Sequence, residues 1–531
     1  MSFDLIVVGG GHNGLVCAAY AADAGLKVAV VERHDRVGGA AITEEFHPGF
    51  RNSAASYTVS LLDPGIGRDL GLRRHGLEIR TRPLDNFVPA LEGPGLKLPS
   101  GRKERYAELA GFSPRDADAY ERFAAELDRV IGLVRPLLAR APVDPLAGPR
   151  EVARTLALAG RSLAHGPRAI RSAIDLFRRS AGHWLDSCFE TDLLKGALGF
   201  DSIVGHFASP YTKGSAYLLL HHAFGEVDGR RGAWGHAVGG MGAISDALAR
   251  AAIERGVEIR TGEPVEQISR EAAGFSVVTA NGVIESRAVA GAVHPQHLFL
   301  ELLRGADLPT GFRQRIESWH SESASFRMNV ALSELPDFRC LPGTAASAHH
   351  GAGILIAPSL SYLDRAHQDA LGTGMSAEPV IELVIPSVID DTLAPPGRHV
   401  ASLFCQHFRY DLPDGQSWRA ARDLAVTRIL DTVDEYAPNF KRSILGASAL
   451  SPIDLERRFG LVGGDIFHGA MTRDQLYHRR PATRYARYRS PVPDLYLCGS
   501  GAHPGGGVSG LPGRNAARAI LEDAGAATRR R

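Results

Sequence analysis

Apolar residues in this chain recur with two different periods, and each change of period marks an element. Leu5-Ile6-Val7-Val8 is a short β-branched run and predicts a strand buried on both faces. It ends in Gly9-Gly10-Gly11-His12-Asn13-Gly14, after which Leu15 to Ala24 reads as a helix with Gly25 just past its end. Lys27 to Val31 is a second apolar run, closed by Glu32. Further on, Ser113-Pro114 offers an N-cap and an N1 proline. Tyr120, Phe123, Leu127, Val130, Ile131, Val134 and Leu138 then recur at helical spacing. Val238 to Gly242 opens a helix predicted over 243–255, which Gly256 stops, and strands follow at Val257–Arg260 and Val265–Ile268. Asn281-Gly282 is a hairpin signal between Phe275–Thr279 and Val283–Ser286. Phe326–Leu332, Val380–Ile385 and Val400–Cys405 read as strands, and Trp418–Tyr436 as a helix ended by Pro438. Leu495–Cys498 predicts a last strand, and 514–523 a last helix.

Strand, glycine turn, helix, strand and acid follow one another in the order of a dinucleotide-binding βαβ unit. Gly9 allows the tight turn, Gly11 lets backbone approach a pyrophosphate, and Gly14 lets the helix pack on the strand. The pyrophosphate is expected at the helix N-terminus, where unpaired N–H groups and the dipole favour an anion. Glu32 is expected to accept hydrogen bonds from a ribose diol and to repel a 2′-phosphate, which favours FAD or NAD over NADP. The glycines at 239–242 have no apolar strand feeding them, so no second nucleotide domain is expected. The closing loop Gly499-Ser500-Gly501-Ala502-His503-Pro504-Gly505-Gly506-Gly507-Val508-Ser509-Gly510 is a second glycine-rich turn between strand and helix. With the first turn holding the ADP half, it suits the flavin half of FAD. A helix N-terminus near the flavin ring stabilises the negative charge of its reduced form.

Composition narrows the picture. The 531 residues suggest about two or three lobes. A net charge of +1 gives no global reason to expect nucleic acid. Cys17, Cys188, Cys340, Cys405 and Cys498 include no CxxC, which suits a reducing, cytoplasmic setting and argues against zinc or a dithiol centre. No secretory leader is read ahead of the first strand, and no apolar run approaches the ~20 residues of a membrane span. His206, His221 and His222 lack ligand spacing with a carboxylate, so no metal is expected. The stretch 151–180 is basic (Arg154, Arg161, Arg168, Arg171, Arg178, Arg179), with an apolar stripe at Ile170, Ile174 and Phe177. It reads as a solvated or oligomer-facing helix of the substrate lobe, or as a peripheral membrane contact. Asp63-Pro64-Gly65 reads as a turn, and 528–531 as a solvated tail.

Arg36-Val37-Gly38-Gly39-Ala40 is a glycine doublet directly after the second strand. It resembles the doublet of the large flavoprotein group that holds amine oxidases and carotenoid desaturases, where it passes close to FAD. With the 238–242 helix entry and the 499–510 loop, the chain resembles the phytoene desaturase group. The 464–471 and 474–476 stretches, with 497–514, carry a closer likeness to the family of pyridine nucleotide-disulfide oxidoreductase domain-containing protein 2 and its bacterial relatives. The resemblance implies an α/β fold: an interrupted Rossmann-type FAD-binding domain of the amine-oxidase type (1–65, 231–300 and 481–531) and an α+β substrate domain with a helical part (66–230 and 301–480). It implies FAD contacts at Gly9, Gly11, His12, Asn13, Gly14, Glu32, Arg33, Gly38, Gly39, Ala40, Val265, Gly499, Ser500, Gly507, Val508 and Leu511. The segment 46–62 is implied to run under the flavin. Ser500 stands where many FAD proteins have an Asp, and Ala502 where a Thr is usual. The expected activity is FAD-dependent dehydrogenation of a small-molecule substrate that is apolar, isoprenoid or lipid-like. An amine or amino-acid oxidase and a flavin-bearing assembly partner with little turnover are the alternatives. The first would want an Arg at the flavin face. No catalytic residue is fixed by the pattern; His503, His468 and His221 are the candidates.

Overall fold

The computed structural model describes residues 2–145 and 148–528. Two seven-stranded sheets organise them. In the first, Phe3–Val8 pairs in parallel with Val28–Val31 on one side and with Gly282–Gly291 on the other. Glu258–Arg260 extends the parallel set beyond Val28–Val31, and Leu495–Leu497 extends it beyond the end of Gly282–Gly291. Val265–Glu271 and Gly274–Thr279 add an antiparallel edge through the hairpin at Asn281-Gly282. Leu5 to Val8 and Val28 to Val31 are buried on both faces, as a parallel strand between helices requires. Each such aliphatic side chain contributes about 1.5–3 kcal/mol.

The helices around this sheet start earlier than the apolar pattern indicates. The first runs His12–Asp23 and takes in part of the glycine turn, because its N-cap is Gly11. The last begins at Leu511 and runs to Thr528. The predicted tail at Arg529–Arg531 lies outside the described residues. Asp63 does more than make a turn: its side chain accepts from Ile66 N–H at 3.2 Å and caps the helix Pro64–Asp69.

The second sheet runs Ile444–Leu450, Ser325–Leu332, His399–Phe408, Met375–Val384, Gly353–Ile356, Asn86–Val88, Leu96–Leu98. Its pairs are antiparallel except Gly353–Ile356 with Asn86–Val88. Phe326, Met328, Val330 and Leu332 alternate onto one face and pack with Trp418, Ala425, Ile429 and Val433 of the helix Trp418–Tyr436. Arg327, Phe404 and Glu382 lie opposite one another across three neighbouring strands, on the other face. A helical cluster around Phe123, Trp184 and Phe200 covers part of that face. Its long helix Pro114–Leu138 is capped by Ser113, whose side chain accepts from Asp116 N–H at 3.2 Å.

The basic stretch is two helices, Pro149–Ala164 and Gly166–Leu176, because His165-Gly166 interrupts it with a positive φ at Gly166. The expected stripe is corrected: Ala169, Ala173 and Leu176 face inward, while Ile174 is exposed. Among the described residues no helix is long and apolar enough to cross a membrane, and no group of three or more His, Cys, Asp or Glu is gathered as a metal site requires.

Candidate functional site

Parallel strands all deliver their loops to the same edge of a sheet, and ligands bind in the crevice there. Here the strands end at Val8, Val31, Gly291 and Leu497. The segments that leave them line one cavity of about 610 Å³, closed on its far side by the second sheet.

The end nearest the first sheet is made mostly of backbone. A Cβ on Gly11 would meet nothing within 4 Å, whereas one on Gly14 would stand 2.2 Å from the Gly9 carbonyl oxygen. Gly14 is therefore glycine for packing, and Gly11 leaves open space at the helix end. No side chain caps that helix, so its first N–H groups are available to an anion. Glu32 is buried; its Oε2 accepts from Gly10 N–H at 2.7 Å and its Oε1 from His34 N–H at 3.0 Å. A carboxylate has about four acceptor sites, so ribose hydroxyls can still be accepted. Asn13 Nδ2 donates to Ser500 Oγ at 3.1 Å and ties the two glycine turns together, while Asn13 Oδ1 is buried without a partner. His12 Nε2–H donates to the Gly507 carbonyl at 3.2 Å, and burial holds the ring's pKa down to about 4, so it is neutral. An open backbone cradle, an uncapped helix and an orphaned buried amide oxygen fit the dinucleotide part of FAD.

The opposite end is made of side chains. The Tyr57 and Phe404 rings stack at 5.4 Å, and His222 stacks on Trp234 at 6.1 Å. Leu61, Val204, Ile466 and Phe467 complete an apolar wall. Behind it, Tyr57 Oη donates to Glu382 Oε2, and Arg82 donates to Glu382 Oε1 at 3.2 Å and to Thr58 Oγ1 at 2.8 Å. Arg327 lies in the same wall with its Cζ 4.5 Å from the Tyr57 ring centre.

The 463–471 stretch, which carries no local signal of its role, supplies part of this wall. Arg480 fastens it to the closing loop: its Nη2 donates to the carbonyls of Phe467 at 2.8 Å and Ser500 at 2.7 Å, and its Nη1 to those of Gly469 and Gln475 at 3.2 Å. Asp465 beside it is pushed up to about 6, by burial above all.

Of the expected cofactor contacts, Gly9, Gly11, His12, Asn13, Gly14, Glu32, Arg33, Gly38, Gly39, Ala40, Val265, Ser500, Gly507 and Val508 line the cavity, as do Ala55 to Leu61 from the 46–62 segment. Gly499 and Leu511 do not. A Cβ on Gly499 would lie 2.6 Å from the Ala292 carbonyl oxygen, so this glycine permits close packing of two strand ends. Leu511 sits behind the loop, beside a small side pocket with His221. Two of the three histidine candidates, His503 and His221, also do not line the cavity. His503 is buried away from the cavity, donating from Nε2 to the Leu137 carbonyl at 3.0 Å, with Tyr477 edge-on at 5.3 Å. His221 packs edge-on against Phe467. His468 does line the cavity, beside His294 at 5.6 Å; burial holds it down to about 4, poorly matched to a general base at neutral pH. Phe404, Trp234 and Arg327 carry no expectation from the sequence, and Tyr57 only that of its 46–62 segment. A usable signal exists for Arg327: a cation in a strand-like run with Phe326, Met328, Val330 and Leu332.

The model of the NAD(P)-binding Rossmann-like domain matches residues 7–65, and that of the flavin containing amine oxidoreductase matches residues 83–325. The chain is 42% identical to pyridine nucleotide-disulfide oxidoreductase domain-containing protein 2 of Rattus norvegicus, over 98% of this chain and 94% of that protein. It is 26% identical to the phytoene desaturase (lycopene-forming) of Pseudescherichia vulneris, over 97% and 98% of the two chains. An oxidoreductase from Methanosarcina mazei has the same fold, with a TM-score of 0.61 at 16% identity over 98% of this chain and 99% of that one. All five cysteines are free in this structure. A full-length match at this identity, on a cavity that fits FAD, shows that the chain belongs to the family of pyridine nucleotide-disulfide oxidoreductase domain-containing protein 2 and is an FAD-dependent oxidoreductase.

Proposed function

We propose that this oxidoreductase dehydrogenates a substrate with an apolar, isoprenoid or lipid-like body. The observation that carries the reading is the aromatic and aliphatic chamber of Tyr57, Phe404, Trp234, Leu61, Ile466 and Phe467, which faces the glycine loops across the cavity. FAD supplies a two-electron acceptor for hydride. The first helix end and Glu32 hold its dinucleotide part, and the 499–510 loop its flavin half. The apolar wall expels water and holds the reacting C–H bond in one orientation. The phytoene desaturase likeness agrees with an apolar substrate, and the amine oxidoreductase model keeps amines as the competing class. The test is an anaerobic titration of the FAD-loaded protein with isoprenoids, fatty-acyl compounds and amines while flavin absorbance is followed. Bleaching by an isoprenoid or acyl compound is expected. Bleaching by amines alone would replace this reading with the oxidase. FAD that no class bleaches would favour a partner protein with little turnover.

A second observation concerns how such a substrate arrives. On the helix Pro149–Ala164, Val152, Leu156 and Leu163 are exposed, the last two at 67% and 69%, among Arg154 and Arg161. Apolar residues standing in solvent on a basic helix suit an anionic lipid surface. Co-sedimentation with anionic vesicles that falls with salt is the expected result, and no co-sedimentation at low salt would remove this route.

A further inference from the structure

Among the described residues, the cavity wall carries a charge that the protein satisfies only in part, that of Arg327. Arg327 is 2% exposed. Its Nη2 donates to Ser402 Oγ at 2.7 Å, but Nε and Nη1 are buried with no hydrogen-bond partner. The Tyr57 ring covers the face of the guanidinium; stacking leaves the in-plane N–H groups unused. Its neighbour on the same strand face, Asn329, is satisfied: Oδ1 accepts from Asn52 Nδ2 and Nδ2 donates to the Ser53 carbonyl, both at 2.9 Å.

Local charge is also out of balance. The carboxylate acting on Arg327 is Glu382, which already accepts from Arg82 and Tyr57. Asp201, the other acid near Glu382, is pushed up to about 8 by burial, so it is mostly protonated at neutral pH. An arginine stays charged under these conditions, and a buried unpaired guanidinium is costly.

We propose that Arg327 is the anchor for an anionic end of the substrate, a carboxylate on an otherwise apolar body. This deepens the dehydrogenase reading and rests on it for the word substrate. The aromatic chamber takes the body, and Arg327 takes the head, which fixes how far the chain enters and which carbon is presented.

The test reads binding rather than turnover. FAD-loaded protein is titrated with hexanoate, decanoate and palmitate, and separately with their methyl esters, while perturbation of the flavin spectrum is followed. Wild type should bind at least one acid about thirty-fold or more tighter than its ester. Arg327→Met should bind acid and ester alike with FAD stoichiometry unchanged, and Arg327→Lys should keep part of the preference. Equal affinity of wild type for acid and ester, or no perturbation by any acid, would overturn the proposal; neither depends on whether the variants fold. Failure of the two readings is separable. Arg327-dependent acid binding with no bleaching in the anaerobic titration would keep the anchor and sink the dehydrogenase. An isoprenoid hydrocarbon that bleaches wild type and Arg327→Met equally would do the reverse.

Discussion

The two ends of the cavity are built from different materials. Toward the first sheet the working groups are strand-end glycines, an uncapped helix and backbone N–H groups, and function depends on side chains being absent. Toward the second sheet the working groups are rings and guanidinium groups, with Arg327 and Phe404 paired on neighbouring strands. Two fully buried arginines show the contrast. Arg480 spends its donors on the carbonyls of Phe467, Gly469, Gln475 and Ser500 and so serves as a clamp. Arg327 keeps two nitrogens unpaired at the chamber. The backbone-made end tolerates little change where main chain packs on main chain, as at Gly14 against the Gly9 carbonyl. A side-chain-made end can be reshaped while the fold stands, which suits the part of a flavoprotein that differs between substrates.

Adding and removing bulk should separate the ends most sharply. Gly14→Val places atoms against the Gly9 carbonyl and should abolish FAD binding, a loss of about a hundredfold or more. Phe404→Ala should leave FAD stoichiometric and raise KM for the substrate. Flavin content after desalting reads both, and a yellow Gly14→Val protein would break the comparison.

Acid should act on the join between the ends. His12, His468 and His503 are each held down to about 4 by burial, against 6.5 when unfolded. Below about pH 6.5 the unfolded chain takes up protons that the folded one refuses, so stability falls as pH drops from 6.5 toward 4. Scanning calorimetry across that window should show Tm falling, with proton uptake on unfolding; a flat Tm would mean these rings are not buried as described.

Arg480→Met leaves several buried carbonyls without donors and should cost about 3 kcal/mol, whereas Arg327→Met should cost less because fewer bonds are lost. Equal denaturation midpoints for the two variants would contradict their assignment to different roles. At the dinucleotide end, Glu32→Ala should weaken FAD binding about tenfold, by removing the ribose contact and loosening Gly10. Full occupancy of that variant at limiting FAD would argue against Glu32 as a ligand.

The smallest effect is expected outside the cavity. Replacing the exposed Arg154, Arg161, Arg168 and Arg171 by Gln should reduce co-sedimentation with anionic vesicles at low salt, where charges are least screened, and leave FAD bound, because none of the four lines the cavity. Unchanged vesicle binding would place any lipid contact elsewhere.

Local order along the chain determined the backbone-made end. A βαβ unit is contiguous, so Gly9, Gly11, Gly14 and Glu32 stand at fixed spacings, and the physics that demands glycine acts on near neighbours. The same locality made the Ser113 cap, the helix Trp418–Tyr436 and the hairpin at Asn281-Gly282 legible. The helix start at His12 was not, because an uncapped helix beginning inside a glycine turn leaves no capping residue to read. Tertiary structure alone decided the other end. Strand pairing sets Arg327, Phe404 and Glu382 in one row although each comes from a different strand. The same packing turned His503 toward Leu137 and away from the cavity. Glycine spacing is a local constraint that the sequence carries on its face; a chamber assembled from distant strands exists only once those strands have found one another.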